Sequence, residues 1–302
     1  MFRIDRITWT RDRLIYLGGI SGGVLLLVVA FFFWWHTTSI NPERVYWGAI
    51  TNNLSTRGVT LQSVQSGAGT TTNQKMQLDF SGEPKARSLT TLSRSNAKVV
   101  TENLSTPKGD YTRYLTIQTA KKDQDGKPVS AKNVLNVWAN TTDKTAAADK
   151  GVPQLFGQGL LGLSLPFGNL AAAQRSDLLQ SIRDNNTYST TYSKVKKQHK
   201  NGRLQYVYEV KLQPILYIRF MKTYAKQMGL HALDDIEPNN YTNLPPVTVN
   251  WTIDARARQL VGVDYGNGHV ETYDGYGLTV DATSPAHPIS ATELQKRLSV
   301  LQ

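Results

Sequence analysis

Catalysis needs a few side chains at set spacings, and this chain offers few sets to test. Gly157, Gly159 and Gly162 spell G-x-G-x-x-G, a spacing that brings backbone close to a pyrophosphate when it follows a strand and opens a helix. Pro153 stands before it and Pro166 after it, so the flanks are wrong and the stretch reads as an apolar loop or pocket lid. The five histidines, His36, His199, His231, His269 and His287, show no metal-ligand spacing, and no H-E-x-x-H occurs. Ser164 lies between Leu163 and Leu165, without the glycines of a nucleophile elbow. His231, Asp234, Asp235 and Glu237 lack the alternate carboxylates and glycine turn of a hard-cation loop. The absence of cysteine removes disulfides, thiolate metal sites, a cysteine nucleophile and an acylated-cysteine anchor. No catalytic residue, cofactor or metal is assigned, and the reading is of a non-enzyme.

Two other sets of residues suit binding. Between Lys150 and Arg175 lie 24 uncharged residues carrying Leu155, Phe156, Leu160, Leu161, Leu163, Leu165 and Phe167. Pro153, Pro166, the polar amides and the glycines within it argue against a second membrane span. From Ile215 to Met228 the period is helical, with Leu216, Phe220 and Tyr224 on one side and Arg219, Lys222 and Lys226 on another. These two segments are the candidate lining of an apolar ligand pocket. The second set is basic: Lys194, Lys196, Lys197, Lys200 and Arg203 surround Asn201 and Gly202, a strong hairpin signal. It is the candidate contact for an anion.

Those residues need elements to position them. The chain has 302 residues, a net charge of +11 and 40% hydrophobic residues, which fits one ordered domain with an appendage. From Leu14 to Trp35, 22 consecutive residues carry no charge. At ~1.5 Å per helical residue they reach about 33 Å, enough to cross a hydrocarbon core once. Arg3, Arg6, Arg11 and Arg13 precede the stretch, so the positive-inside rule makes residues 1–13 a cytoplasmic stub and residues 36–302 an extracytoplasmic domain. The expectation is a single-pass protein of the cell membrane with a retained signal-anchor. Gly18 with Gly22 and Gly19 with Gly23 form overlapping G-x-x-x-G patterns that would let two such helices dimerise. The total of 34 basic and 23 acidic residues, less the four arginines and two aspartates of residues 1–13, leaves the outer part at +9. That balance favours anionic lipid headgroups or envelope polymers; nucleic acid is disfavoured because no recognition motif accompanies the charge.

Asn41 and Pro42 read as the cap and first residue of a short helix with Val45, Ala49, Ile50 and Leu54 on one side. Period-two alternation through Val59–Val64, Met76–Phe80, Leu89–Leu92, Val99–Val100 and Tyr114–Ile117 predicts five antiparallel strands. Asp125 and Gly126 predict a turn before a strand through Val134, Leu135 and Val137. A helix is expected over about residues 170–182, hairpin strands over 188–200 and 203–212, and closing strands over 247–253, 259–265 and 269–273. Ser290 and Glu293 predict a capping box for a last helix.

The closing stretch VTVNWTIDARARQLVGVDYGNGHVETYDGYGLTVDATSP resembles the end of the lipoprotein-carrier superfamily of LolA-like, LppX-like and LprG-like proteins. A strand ends in Asp at Trp251 to Asp254, a second runs from Leu260 to Asp264, and a Tyr-Gly unit at Tyr273 to Gly277 leads to Val280 and Pro285. The order of elements extends the match loosely over Pro42 to Pro285. The resemblance implies an α+β fold, a curved, unclosed antiparallel sheet or half-barrel with helices on its concave face, enclosing an apolar pocket for acyl chains. The lipidated cysteine of the lipoprotein members is missing here, which gives residues 14–35 the anchoring role. Two functions follow as expectations. One is a membrane-tethered, non-catalytic binding module for a lipid or other apolar ligand. The other is a structural or interaction protein of the cell envelope whose basic surface binds a protein partner or an anionic polymer.

Overall fold

The computed structural model of the chain describes residues 26–31, 40–119, 129–142 and 154–301. Of the expected membrane segment, residues 26–31 are helical, with Leu26, Leu27 and Val29 exposed. The rest of 14–35, the G-x-x-x-G glycines, the basic stub and the Asp125–Gly126 turn lie outside the described residues. Among the described residues no helix is long and apolar enough to cross a membrane.

The five predicted strands form as β1 (Gly58–Gly67), β2 (Thr70–Asp79), β3 (Lys85–Arg94), β4 (Ala97–Thr106) and β5 (Gly109–Gln118), an antiparallel meander. Register follows the apolar alternation, since a slip by one residue would turn every buried side chain outward. Leu61 faces Met76, and Leu78 faces Ala86. Beyond β5 the chain departs from expectation. Val134 N bonds Ala131 O at 2.9 Å, Asn136 takes φ 60°, and only Leu135 bridges to Tyr114. A turn replaces the expected strand because it lets Val134 bury against Leu294 in a satellite cluster. The edge strand β6 (Ala139–Asn140) starts later.

The second half supplies β7 (Tyr188–Thr190), β8 (Lys196–Lys200), β9 (Arg203–Leu212), β10 (Val247–Asp254), β11 (Gln259–Gly266), β12 (His269–Asp274) and the parallel edge piece β13 (Ile289–Ser290). All 13 strands make one sheet in the order β13-β6-β5-β4-β3-β2-β1-β12-β11-β10-β9-β7, with β8 also on β9. Its two ends do not meet, so the sheet is unclosed. Bulges at Val100/Thr101, Thr252/Ile253 and Asp264/Gly266 add local twist. At the β8–β9 turn Asn201 and Gly202 take φ 51° and 72°, as the two central residues of a type I′ hairpin must. The strand expected over 188–200 is broken by a 3-10 turn at Tyr192–Lys194, where the chain leaves the edge and Tyr192 packs edge-on against Tyr46 at 5.7 Å.

Four helices cover one face of the sheet: α1 (Pro42–Asn53), α2 (Gln154–Leu161), α3 (Ala172–Asp184) and α4 (Pro214–Gln227). Asn41 Oδ1 accepts from Glu43 N at 2.9 Å and so caps α1. The α1 stripe of Val45, Tyr46, Ala49 and Ile50 is fully buried, and Tyr46 stacks on Trp251 of β10 at 5.7 Å. Leu178 and Ile182 of α3 and Phe220 and Met221 of α4 join the same core. The last helix, α5 (Ala291–Ser299), carries half of the expected capping box. Ser290 Oγ accepts from Glu293 N at 3.1 Å, while the Glu293 carboxylate takes Arg297 at 2.9 Å.

Candidate functional site

The uncharged stretch runs through the interior, between the sheet and helices α1 and α4. Helix α2 carries Phe156 onto Phe80 at 5.4 Å between ring centres. Its glycines serve packing: a Cβ on Gly159 would lie 2.6 Å from Met76 Sδ of β2, and one on Gly157 3.2 Å from a Leu230 methyl. The G-x-G-x-x-G spacing therefore lets a helix lie close to its neighbours.

After Leu161 the chain turns irregular, and all but Gly162 and Asn169 of residues 162–170 are buried. Its backbone groups must then find partners other than helix or sheet neighbours. Side chains from three distant elements, α4, β7 and β11, supply several of them. Leu163 O accepts from Tyr217 Oη at 2.6 Å, and Phe167 O accepts from Tyr224 Oη. Ser164 is satisfied at every polar atom: its N–H donates to Tyr265 Oη at 3.2 Å, its carbonyl accepts from Tyr188 Oη at 2.9 Å, and its Oγ accepts from Trp251 Nε1 at 3.2 Å. Gly168 N and Leu170 N donate to the end of α1, at Asn53 O and Leu54 O. Asn169 Nδ2 donates to Phe80 O at 3.2 Å.

Burial pushes the hydroxyls of Tyr188, Tyr217, Tyr224 and Tyr265 far above the ordinary tyrosine range; the charge of Glu271 adds to this for Tyr217 and Tyr265, and neighbouring tyrosines add to it for Tyr188 and Tyr224. They remain neutral donors at any physiological pH. Behind Tyr265 lies a buried carboxylate. Glu271 accepts from Tyr265 Oη at 2.8 Å and also from Tyr273, and His269 Nε2 approaches it at 3.6 Å. The His269 ring stacks on Tyr265 with centres 4.4 Å apart.

The structure brings most of the expected apolar lining together. Leu160, Leu165, Phe167 and Tyr224 are 0% exposed and Phe156 is 1% exposed, so they border no void large enough for water. Leu163 and Phe220 are also buried, and Leu161 packs against the same core. Leu216 is half-buried outside that cluster; its neighbour Tyr217 reaches the interior in its place. Leu155 falls within α2, and its side chain lies outside the described set. Tyr188, Tyr217, Trp251 and Tyr265 escaped the sequence reading, although large aromatics with one polar atom are the residues suited to buried hydrogen bonds.

The basic residues are divided by strand alternation. Lys197 faces the helix-covered side, 5.8 Å over the Tyr206 ring, while Lys196 pairs in register with Val207 on the opposite face. Lys200 and Arg203 flank the turn, and Arg203 reaches Asp254 at 3.8 Å. Lys194 sits in the 3-10 turn. Among the described residues no three histidine, aspartate or glutamate side chains gather as metal ligands.

No protein-family model and no curated protein matches the chain. Among solved structures it is similar to the crystal structure of LprF from Mycobacterium bovis, with 12% identity and a TM-score of 0.43 over 82% of this chain and 97% of that one. It is also similar to lipoprotein LppX of Mycobacterium tuberculosis, with 10% identity and a TM-score of 0.33 over 82% and 99%.

Proposed function

We propose that the chain is a membrane-tethered, non-catalytic binding module that takes the apolar chain of a lipid between its sheet and helices α1 and α4, in the space its own segment 156–170 fills in this closed state. One observation carries the reading. Residues 162–170 cross the core outside any helix, and side-chain hydroxyls hold much of their backbone. Such bonds can pass to another acceptor without dismantling the sheet. An entering acyl chain would take the place of Leu163, Leu165 and Phe167, its own burial, at about 25 cal/mol per Å² of apolar surface, offsetting the exposure of those side chains. The freed tyrosine hydroxyls would donate to its ester or headgroup oxygens. Residues 14–35 would tether the module to the membrane, with 36–302 on the extracytoplasmic side. The exposed leucines of the helical stretch 26–31 support that role.

The test is native mass spectrometry of the full chain purified in mild detergent, with extraction of bound lipid and competition by a fluorescent long-chain fatty acid. About one lipid per chain, displaced by the probe, is the expected result. A ligand-free protein that excludes the probe would overturn it. The completeness of interior packing favours a second reading for that case, a structural or interaction protein of the envelope with a filled core.

A further inference from the structure

On the face of the sheet opposite the buried segment lies a trough of about 680 Å³. Strand alternation makes its floor. Glu209, Asn250 and Asp264 form one row across β9, β10 and β11, and Val207, Thr252 and Gly262 form the next. Gly262 has no side chain, so the floor dips beside Thr252. The wall comes from the break between β7 and β8, where the chain arches away from the edge and brings Thr190, Thr191 and Lys194 alongside.

Lys194, Lys196 and Lys211 bring three ammonium groups to the trough, and two carboxylates, Glu209 and Asp264, share it. Among the described residues none of the three lysines has an ion-pair partner, nor has Glu209. Asp264 uses one oxygen to accept Gly266 N at 2.8 Å. Among the described residues nothing aromatic lines the trough, and Val207 is its one apolar residue.

This chemistry selects among ligands. A lipid tail or apolar peptide would lie against a lining that is mostly polar, with three unpaired ammonium groups beside it. The bases of a nucleic acid would find no ring to stack on, and its sugars offer few hydroxyls to the two carboxylates. A polyhydroxylated chain carrying phosphate or carboxylate groups matches all of it. Its anionic groups would pair with the lysines, and its hydroxyls would donate to the two carboxylates and to Asn250 Oδ1 while accepting from Asn250 Nδ2 and Thr252. We propose that the trough over β9, β10 and β11 binds a short stretch of an anionic glycan. The site lies on the other face from the apolar interior, so it stands or falls independently of lipid binding.

Microscale binding of the full chain in detergent to polygalacturonate oligomers and to poly(glycerol phosphate) tests this, with dextran and single-stranded DNA as comparators and anionic phospholipid vesicles as the membrane arm. The expected result is saturable binding to at least one anionic glycan, tenfold or more above dextran and DNA. It should fall at least tenfold in Lys211→Glu and several-fold in Asn250→Ala and Asp264→Ala. Lys108→Glu, at an exposed lysine on the β4–β5 turn, should bind as the parent does. Equal binding to DNA, a preference for vesicles over both glycans, or indifference to Asn250→Ala and Asp264→Ala would overturn the proposal. The substituted positions are exposed, and circular dichroism would verify folding of each variant.

Discussion

Trp251 Nε1 donates to Ser164 Oγ at 3.2 Å, which ties the middle of a central strand to the middle of the irregular buried segment. Ser164→Ala leaves that indole N–H buried and unpaired, at a cost of about 1–3 kcal/mol. Urea denaturation followed by tryptophan fluorescence should show a lower midpoint with little change in slope. A midpoint equal to that of the parent would mean that the segment is not held as described.

Tyr46 presents the opposite case. Its hydroxyl is buried with no hydrogen-bond partner among the described residues, although its ring stacks on Trp251. Tyr46→Phe keeps the ring and deletes the orphaned oxygen, so stability should stay level or rise by up to about 1 kcal/mol. Thermal unfolding of the two proteins side by side measures this.

Tyr265 links Ser164 N–H to Glu271. Tyr265→Phe removes an acceptor from the first and a donor from the second. Amide exchange over 163–168 should quicken by tenfold or more while exchange in β2 and β3 stays slow. Simultaneous loosening of both regions would show that the segment and the sheet open as one unit.

Gly58 marks a close approach of backbone to backbone. A Cβ there would stand 2.1 Å from Leu278 O, whereas one at Gly67 would meet nothing within 4 Å. Gly58→Ala should destabilise by more than about 2 kcal/mol, and Gly67→Ala should be tolerated, as comparison of their unfolding midpoints would show.

Glu102 lies between Arg87 and Arg113, with both ion pairs at 2.6 Å. Burial alone would raise its pKa, but hydrogen bonds from Arg113 and Arg87 and their charges outweigh burial and hold the carboxyl below the ordinary glutamate range. A carboxyl lowered in the folded state contributes stability that is fully present above its unfolded pKa, about 4.3, and is lost as pH falls through the lowered value. Glu102→Gln should therefore be less stable at neutral pH and lose less on acidification. The slope that remains should come partly from Asp79, which is lowered in the same direction although burial opposes it, by bonds from Ser81 and Val280. Denaturation midpoints from pH 7 to pH 3 would check the sign.

The meander and the Asn201–Gly202 hairpin were legible in the sequence because local physics decides them: alternation sets which face is buried, and the turn needs two residues at positive φ. The break at Tyr192 was not, since a distant ring, Tyr46, draws that side chain off the strand. The turn around Asn136 was missed for a similar reason, the burial of Val134 against Leu294. Hydrophobicity marked Leu160, Leu163, Leu165 and Phe167 as candidate pocket lining, but their route through the core depends on hydroxyls at positions 188, 217, 224 and 265. No spacing rule connects residues so far apart. The trough was equally hidden: Lys196 sat in a conspicuous basic run, whereas Lys211, Asn250 and Asp264 come together only through strand register.

The pairing of β1 with β12 has a consequence for how the molecule is made. Gln62 and Asp274, 212 residues apart, hydrogen-bond across that seam, so the first meander waits with an open edge until nearly the whole chain has emerged. Contacts of such sequence separation slow folding, and an unpaired edge recruits other strands. In a crowded setting a chain cut short after β10 would offer β1 to its neighbours, making the last third of the sequence the guard against aggregation of the first.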